Sequence, residues 1–464
     1  MSTKRPYQLP EPLICETDVN LDYALVKRFI DKHASRMQRY KYLEEMYKGF
    51  HSIYQQPDKP DWKPDNRLAI NYPRYITETF LGYAYGIPIK ESHPDDTVAE
   101  AMREFQNENE LSDHEYELFQ DVCIYGHAFE YLYQDEEAKT RMTVCTPKEL
   151  FIVYDDTVRN RALFAVRYAV HEIEGSQGEL FGEVLTRDQI IRFDKGNFTE
   201  TLDNPYGLIP VVEYLMNRQR LGLYENVTGL IEAYNRAIGE KANDVDAFAE
   251  AYMKLIGVDI DDEEVKRIRE NRIINLPIYD DTTGTQVDFM AKPTADSTQE
   301  NLLDRLDRQI YQISMVANIS DESFGNATSG TALAYKLQAM SNLAAGFDRK
   351  IEKSLRKRYK IWSTLKTNVS DENAWKELQV TTSRNLPKNR LEEAQTAAQL
   401  SGIVSHETQL SLLSIIPDPK AELEKIEKET TDSTALISFD AHRHTTDEKE
   451  EQTDLKPEAE YGLQ

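Results

Sequence analysis

Residues able to do chemistry are sparse in this sequence, and none of them forms a catalytic constellation. It has no Gly-rich phosphate loop, no G-x-S-x-G elbow, no H-E-x-x-H and no C-x-x-C. The nearest approach to a metal site is Asp259, Asp261, Asp262, Glu263 and Glu264, hard oxygen ligands of the kind Mg²⁺ or Ca²⁺ takes. The run lacks the glycine and the closing glutamate of an EF-hand loop. Acidic residues also favour a helix N-terminus, so it reads as the start of a helix. His442 and His444 flank Arg443 with no carboxylate or cysteine partner and read as solvated. Cys15, Cys123 and Cys145 are scattered, without disulfide-framework or metal-ligand spacing, which fits folding in a reducing compartment. The expectation is a protein that is not an enzyme, with no catalytic residue, metal or cofactor.

One positive feature stands out: the run Arg349, Lys350, Lys353, Arg356, Lys357, Arg358 and Lys360. On a helix these positions spread over more than one face, so an ion-paired, solvated surface competes with contact to phosphates or to an acidic partner. Arg349, Lys350, Lys353, Arg356 and Lys357 are the candidates for such contacts.

The elements that would carry these residues follow from periodicity. Leu25, Phe29, Met37, Tyr40, Leu43 and Met46 lie near helical spacing, with Gly49 as a stop. A proline-rich connector at 58–72 precedes a further helix. Between 115 and 215, FEYLYQ, TRMTVCTP, ELFIVYD, LFAVRYAV and QIIRFD are β-branched and aromatic runs set between turns. They imply an α+β region, in which Asp121–Tyr131 is a helix ending at Gly126 and running into a strand. Residues 223–255 carry one apolar stripe from Val227 to Leu255, a helix of about 45 to 50 Å. After it come a short helix at 262–271, a strand-like INLPIY, a DDTTG turn and a strand-like TQVDFM. A second helix from Asp296 to Val316 returns along the first. The turn-rich segment 319–330 leads to a third long helix through Leu333, Leu337, Met340, Phe347, Ile351, Leu355 and Trp362. Helices at Leu391–Leu400 and Glu407–Ile415 flank a turn with Ser405 as N-cap, and Pro417 and Pro419 mark a break. The last ~35 residues are acidic and poor in apolar side chains, and read as a solvated tail.

Across the 464 residues, 81 acidic against 55 basic side chains give a net charge of -26. That excludes a protein that grips nucleic acid by neutralising many phosphates. With 40% hydrophobic residues the chain folds, into two or three compact units by its length. No signal peptide or membrane span is expected. The fold class is α+β, predominantly helical. Three long amphipathic helices, two of them bracketing a small insertion, expose more apolar stripe than a single chain covers, and point to a self-assembling ring.

Five stretches, in this order, resemble the SPP1-type portal protein family of tailed bacteriophages. They are Asn71-Tyr72 with Tyr83-Ala-Tyr-Gly-Ile-Pro-Ile89; Ile124-Tyr-Gly-His-Ala-Phe-Glu-Tyr-Leu-Tyr133; Asn204-Pro-Tyr-Gly-Leu-Ile-Pro-Val211 leading to Asn217; Ser323-Phe-Gly-Asn-Ala-Thr-Ser-Gly-Thr-Ala-Leu-Ala-Tyr-Lys-Leu337; and Asn389-Arg-Leu-Glu-Glu-Ala-Gln395 with Leu400-Ser-Gly-Ile-Val-Ser405. The resemblance implies a portal fold: a dodecameric ring with wing, stem, clip and crown regions around a channel for double-stranded DNA.

On that mapping, 1–222 and 331–386 are wing, 223–255 and 297–318 stem helices, and 256–296 the clip. Residues 387–430 are crown, and 431–464 an acidic flexible tail that matches no family region. Residues 319–330 map to the tunnel loop, with Ser323, Phe324, Gly325, Asn326, Ala327, Thr328 and Ser329 facing the channel. The implied partners are further copies of the chain, non-specific DNA, the terminase large subunit, a head-tail adaptor, and major capsid and scaffold proteins, with no membrane. The implied location is the portal vertex of the virion, after assembly in the host cytoplasm. A helical virion structural or scaffold protein without a DNA channel would share the acidity and the long helices. A metal-dependent nuclease would have to use the 259–264 carboxylates.

Overall fold

The computed structural model describes residues 10–60, 63–171, 178–248, 253–256, 286–289, 296–319, 330–386, 390–413 and, in part, 415–428. Met1–Asn385 form one compact unit and Leu386–Gln464 a second. The elements are mixed helix and sheet, as the α+β expectation requires.

The first unit opens with β1 (Leu13–Cys15), then α1 (Tyr23–Ala34) and α2 (Met37–Lys48). The sequence suggested one helical stretch here. The break at Ser35–Arg36 lets α1 lie on a sheet while α2 turns to pack on other helices. The Asp22 side chain caps α1 by accepting from the Leu25 amide at 2.8 Å, and Gly49 closes α2 in the left-handed region. Next come α3 (Tyr72–Tyr85), β2 (Lys90–Ser92), α4 (Asp96–Glu108) and α5 (Leu111–Tyr125).

Eight strands follow: β3 (His127–Gln134), β4 (Thr140–Cys145), β5 (Leu150–Asp155), β6 (Ala162–His171), β7 (Glu179–Leu185), β8 (Gln189–Asp194), β9 (Asn197–Asp203) and β10 (Val211–Leu215). They make a six-stranded sheet in the order β1-β5-β6-β7-β8-β9 and a three-stranded sheet β10-β3-β4. The Leu150–Asp155 run has no polar alternation because both its faces are covered. Phe151 and Val153 meet Leu25, Val26, Phe29 and Ile30 of α1, while Leu150 and Ile152 meet Phe129, Tyr131 and Val211 of the smaller sheet. The layers are thus α1, large sheet, small sheet, with α5 against β3 on the far side.

The long elements come last in this unit: α6 (Thr228–Phe248), β11 (Met253–Ile256), β12 (Gln286–Phe289), α7 (Asp296–Ser314), α8 (Gly330–Trp362) and β13 (Gln379–Thr381). Helix α6 is shorter than the expected 223–255. A 3-10 turn at Glu225–Val227 precedes it, and Met253–Ile256 is a strand paired antiparallel with β12, so α6 runs about 32 Å. The TQVDFM strand is found, but its partner is the segment after α6. INLPIY, the 262–271 helix and the acidic run 259–264 lie outside the described residues, as do 320–329 and the tail from 429. In the second unit α9 (Arg390–Gln399) and α10 (His406–Ser411) meet through Gln409, whose Nε2 donates to Ala397 O at 2.7 Å. Ser405 caps α10 as expected, although that helix ends at Ser411, short of Ile415.

Candidate functional site

The antiparallel helices α6 and α7 pack on each other and rise from the small sheet through a joint at residues 216–227. Three features of the sequence build that joint. Arg39 of α2 is buried. Its Nε donates to Glu225 Oε1 at 2.9 Å, and its Nη2 to the carbonyls of Tyr125 and Arg220 at 3.0 and 2.8 Å. The Gly222 amide fills the other Glu225 oxygen at 2.8 Å. Arg220, itself at φ +58°, forks onto Glu213 at 2.8 and 2.9 Å, and His127 Nδ1 and the Tyr154 hydroxyl donate to the same carboxylate. Burial pushes the Glu213 carboxyl up, but the Arg220 charge and the His127 bond win and hold it well below the ordinary range. Gly126 is obligatory here: its φ is +86°, and an added Cβ would stand 2.2 Å from the Arg220 carbonyl.

Beyond the joint the helix pair is held by amides, tyrosines and partly exposed ion pairs, among them Lys241 of α6 with Glu300 of α7. The connector 52–71 runs out along α6 and back. Lys59 Nζ meets Glu240 Oε1 at 3.0 Å, the Asn66 amide donates to Asn243 Oδ1 at 2.6 Å, and the Ile70 amide to Asn235 Oδ1 at 2.9 Å. Gly239 permits this approach, since a Cβ there would lie 3.0 Å from Asn66 O. Tyr72 bridges both helices: its hydroxyl donates to Asp307 Oδ1 at 2.6 Å, and its ring sits edge-on to Tyr234 of α6 and Tyr311 of α7. Further out, Gln299 Nε2 donates to Asp244 at 3.0 Å.

Helix α7 buries Leu303, Leu306 and Ile310. Leu302 and Ile313, each 50% exposed, stand about 20° apart around the helix and about 60° to one side of that stripe. Met315 and Ile319 beyond the helix end and Val245 on α6 are exposed too, Val245 against the expectation that it joined the buried stripe. The apolar face of α7 is therefore wider than α6 covers.

The basic run on α8 divides cleanly. Arg349, Lys353, Arg356 and Lys360 fall within about 60° of one another on the outer face, with Lys350 beside them half-buried. Arg356 pairs within the helix to Glu352 at 2.9 Å. Lys357 is half-buried and turns its ammonium inward, donating to Val211 O at 2.9 Å. Burial pushes its ammonium down to about 8 despite Glu213 nearby. Arg358 points the opposite way to the outer face and is fully buried among Glu91, Glu115 and Glu130. Nothing in its local spacing distinguishes it from its neighbours. The sequence signal was instead a glutamate, Glu130, inside the apolar strand run FEYLYQ.

Ser323, Phe324, Gly325, Asn326, Ala327, Thr328 and Ser329 lie outside the described residues. Among the described residues no group of three or more His, Cys, Asp or Glu is placed to hold a metal, and no helix is long and apolar enough to cross a membrane. The three cysteines are buried and free.

Comparison with known proteins gives a consistent result. The family model described as "Phage portal protein, SPP1 Gp6-like" matches residues 26–435. The portal protein of Bacillus phage SPP1 is 23% identical over 448 residues, covering 88% of this chain and 86% of its own length. The portal protein of Clostridium phage phiCD119 is 22% identical over 391 residues, covering 76% and 82%.

Proposed function

The chain belongs to the SPP1 Gp6-like phage portal protein family, structural components of the capsid that serve DNA packaging, and from that premise we propose how its parts divide the work. Twelve copies close into a ring around a channel through which double-stranded DNA enters and leaves the head. Helices α6 and α7 are the stem, 256–296 the clip and 319–330 the tunnel loop. Residues 1–222 and 331–386 are wing, and 387–430 crown. The terminase large subunit and the head-tail adaptor dock on this ring at one vertex of the capsid.

The observation that carries this reading is the surplus apolar face on the helix pair. Leu302, Ile313, Met315, Ile319 and Val245 are exposed on the single chain, and a neighbouring copy packed side by side would cover them. The charge fits a conduit as well. At -26 per copy the wall repels the polyanion and leaves it mobile, with Arg349, Lys350, Lys353 and Arg356 as local contacts to phosphate or to an acidic partner. Native mass spectrometry and electron cryomicroscopy of the purified chain test the proposal together. A closed ring with an axial opening is expected. A dominant monomer or dimer sinks it, and a closed helical assembly without a channel returns the scaffold alternative.

A further inference from the structure

The pit around Arg358 holds more carboxylates than its cations balance. Arg358 Nε donates to both oxygens of Glu130 at 3.1 and 2.9 Å, Nη2 to Glu130 Oε1 at 2.7 Å, and Nη1 to Glu115 Oε1 at 2.5 Å and Glu91 Oε1 at 3.5 Å. The side chains of Arg358, Glu91 and Glu130 are fully buried, and that of Glu115 is 5% exposed. The pit draws its members from six elements: Glu91 from β2, Glu115 and His114 from α5, Glu130 from β3, Tyr214 from β10, Gln106 from α4, and Arg358 and Tyr359 from α8. Glu130 is well served, receiving also His114 Nε2 at 2.9 Å and the Tyr214 hydroxyl at 3.1 Å. Glu91 receives the Tyr359 hydroxyl at 2.5 Å and Gln106 Nε2 at 3.1 Å. Glu115 draws on a guanidinium nitrogen that it shares with Glu91.

Three ionised carboxylates against one guanidinium would leave a charge of -2, or -1 with His114 protonated, among side chains shut away from solvent. The cost of burying unbalanced charge falls on the carboxylate with the fewest donors. We propose that this pit is a proton-dependent clasp on α8: Glu115 carries a proton in the folded chain at neutral pH, and losing it under alkaline conditions loosens the grip of α4, α5, β2 and β3 on the helix. Burial first, then the negative charge of Glu91 and Glu130, pushes the Glu115 carboxyl up to about 8 against the pull of Arg358. Arg358 and the donated bonds instead hold Glu130 down at about 2 in spite of its burial. No lysine faces the pit among the described groups that set these shifts.

The clasp does not rest on the ring reading, and it is tested on the full chain. A raised carboxyl stabilises the fold most below its unfolded value near 4.5 and loses that contribution as pH rises through 8. The unfolding constant attributable to Glu115 should therefore rise about thirtyfold between roughly pH 6.5 and 9. In the Glu115→Gln chain, which keeps the neutral form, that rise should vanish. Asp121 and Lys357 also titrate near this window, at about 7 and about 8, and remain in both chains, as does Glu91, whose carboxyl burial also pushes up, so the difference reads Glu115 together with its coupling to Glu91. Infrared spectroscopy supplies a second readout: a buried protonated carboxyl stretch present at pH 6.5 and lost by pH 9 in the unmodified chain, of which the part due to Glu115 is missing in Glu115→Gln while that of Asp121 remains. An unchanged alkaline limb in Glu115→Gln, or no such band, overturns the proposal.

Discussion

The body of the first unit and its α6–α7 pair answer the same problem, how to hold long elements in register, by opposite means. In the body, buried cations find their counter-charges within the chain: Arg39 with Glu225, Arg220 with Glu213, Arg358 with three carboxylates. Such pairs gain little net stability after desolvation, but they tolerate only one geometry. The pair, by contrast, is joined through amides, tyrosines and partly exposed ion pairs such as Lys241–Glu300, and leaves half of Leu302 and Ile313 in solvent. The difference teaches where the fold is finished internally and where apolar surface is left over. The charge-locked body fixes the angle at which the helices leave the joint, while the pair keeps an uncovered apolar flank.

The comparison breaks most violently at Arg39. Replacing it with methionine keeps the bulk but leaves Glu225 buried with only the Gly222 amide, which should cost on the order of 3–5 kcal/mol. Denaturant unfolding measures it. A loss below about 1 kcal/mol would mean that the joint is not locked by charge.

Acid should reveal the same asymmetry with a somewhat smaller effect. Glu130 ionises more readily folded than unfolded. Its contribution is therefore present above about pH 4.5 and is lost as the pH falls toward 2, on the order of 3 kcal/mol in all. Glu213 acts in the same direction. The acid limb of the stability curve should flatten in Glu130→Gln, although that chain is weaker at neutral pH. An unaltered limb would place the acid sensitivity elsewhere.

How much of this was legible in the sequence depends on what decides each element. The two ends of α8, the Gly126 turn, the Ser405 cap and the run of α7 all follow from local rules, and they lie where periodicity and capping put them. β7 and β9 were missed because their residues, such as Glu179, Glu183, Glu200 and Asp203, look like turn or surface. They form strands because β6 and β8 offer them open edges. The overlong α6 was a periodicity error, since Leu255 continues a helical stripe by spacing yet belongs to a strand paired with Val287. Least legible of all was the pit at Arg358. Its four charged members lie up to 267 residues apart, and only the fold brings them together.

A milder test lies at the seam between body and pair. Tyr72→Phe keeps the ring contacts with Tyr234 and Tyr311 but removes the bond to Asp307, a hydrogen bond to a charged group in a half-buried place. About 1–2 kcal/mol should be lost. Hydrogen exchange should rise along 303–314 and stay unchanged in β5 and β6, whose core the substitution does not touch. Exchange that rises equally in both regions would show that the pair and the body unfold as one.

The smallest effect on the single chain should come from the surface that matters most for assembly. Leu302 and Ile313 stand on one side of α7, three turns apart, and neither joins the buried stripe of Leu303, Leu306 and Ile310. Exchanging both for glutamate touches no member of the buried stripe and no hydrogen-bonding side chain, and loses only the covered half of each, so the stability of the isolated chain should change by no more than about 1 kcal/mol. If a neighbouring copy covers this flank, the same exchange places two carboxylates in an apolar contact without cations to meet them. Each would then have to be desolvated or protonated, and the interface should fail. Added charge on a chain already at -26 could by itself drive copies apart, so the decisive comparison is Leu302→Gln with Ile313→Gln, which removes the apolar contact and leaves the charge as it was. If the flank is an interface in a ring, native mass spectrometry should show closed rings for the unmodified chain and monomer for both double variants, with melting of the monomer little changed. Rings that persist in both variants would mean that this flank faces solvent in the assembly and that the copies meet elsewhere.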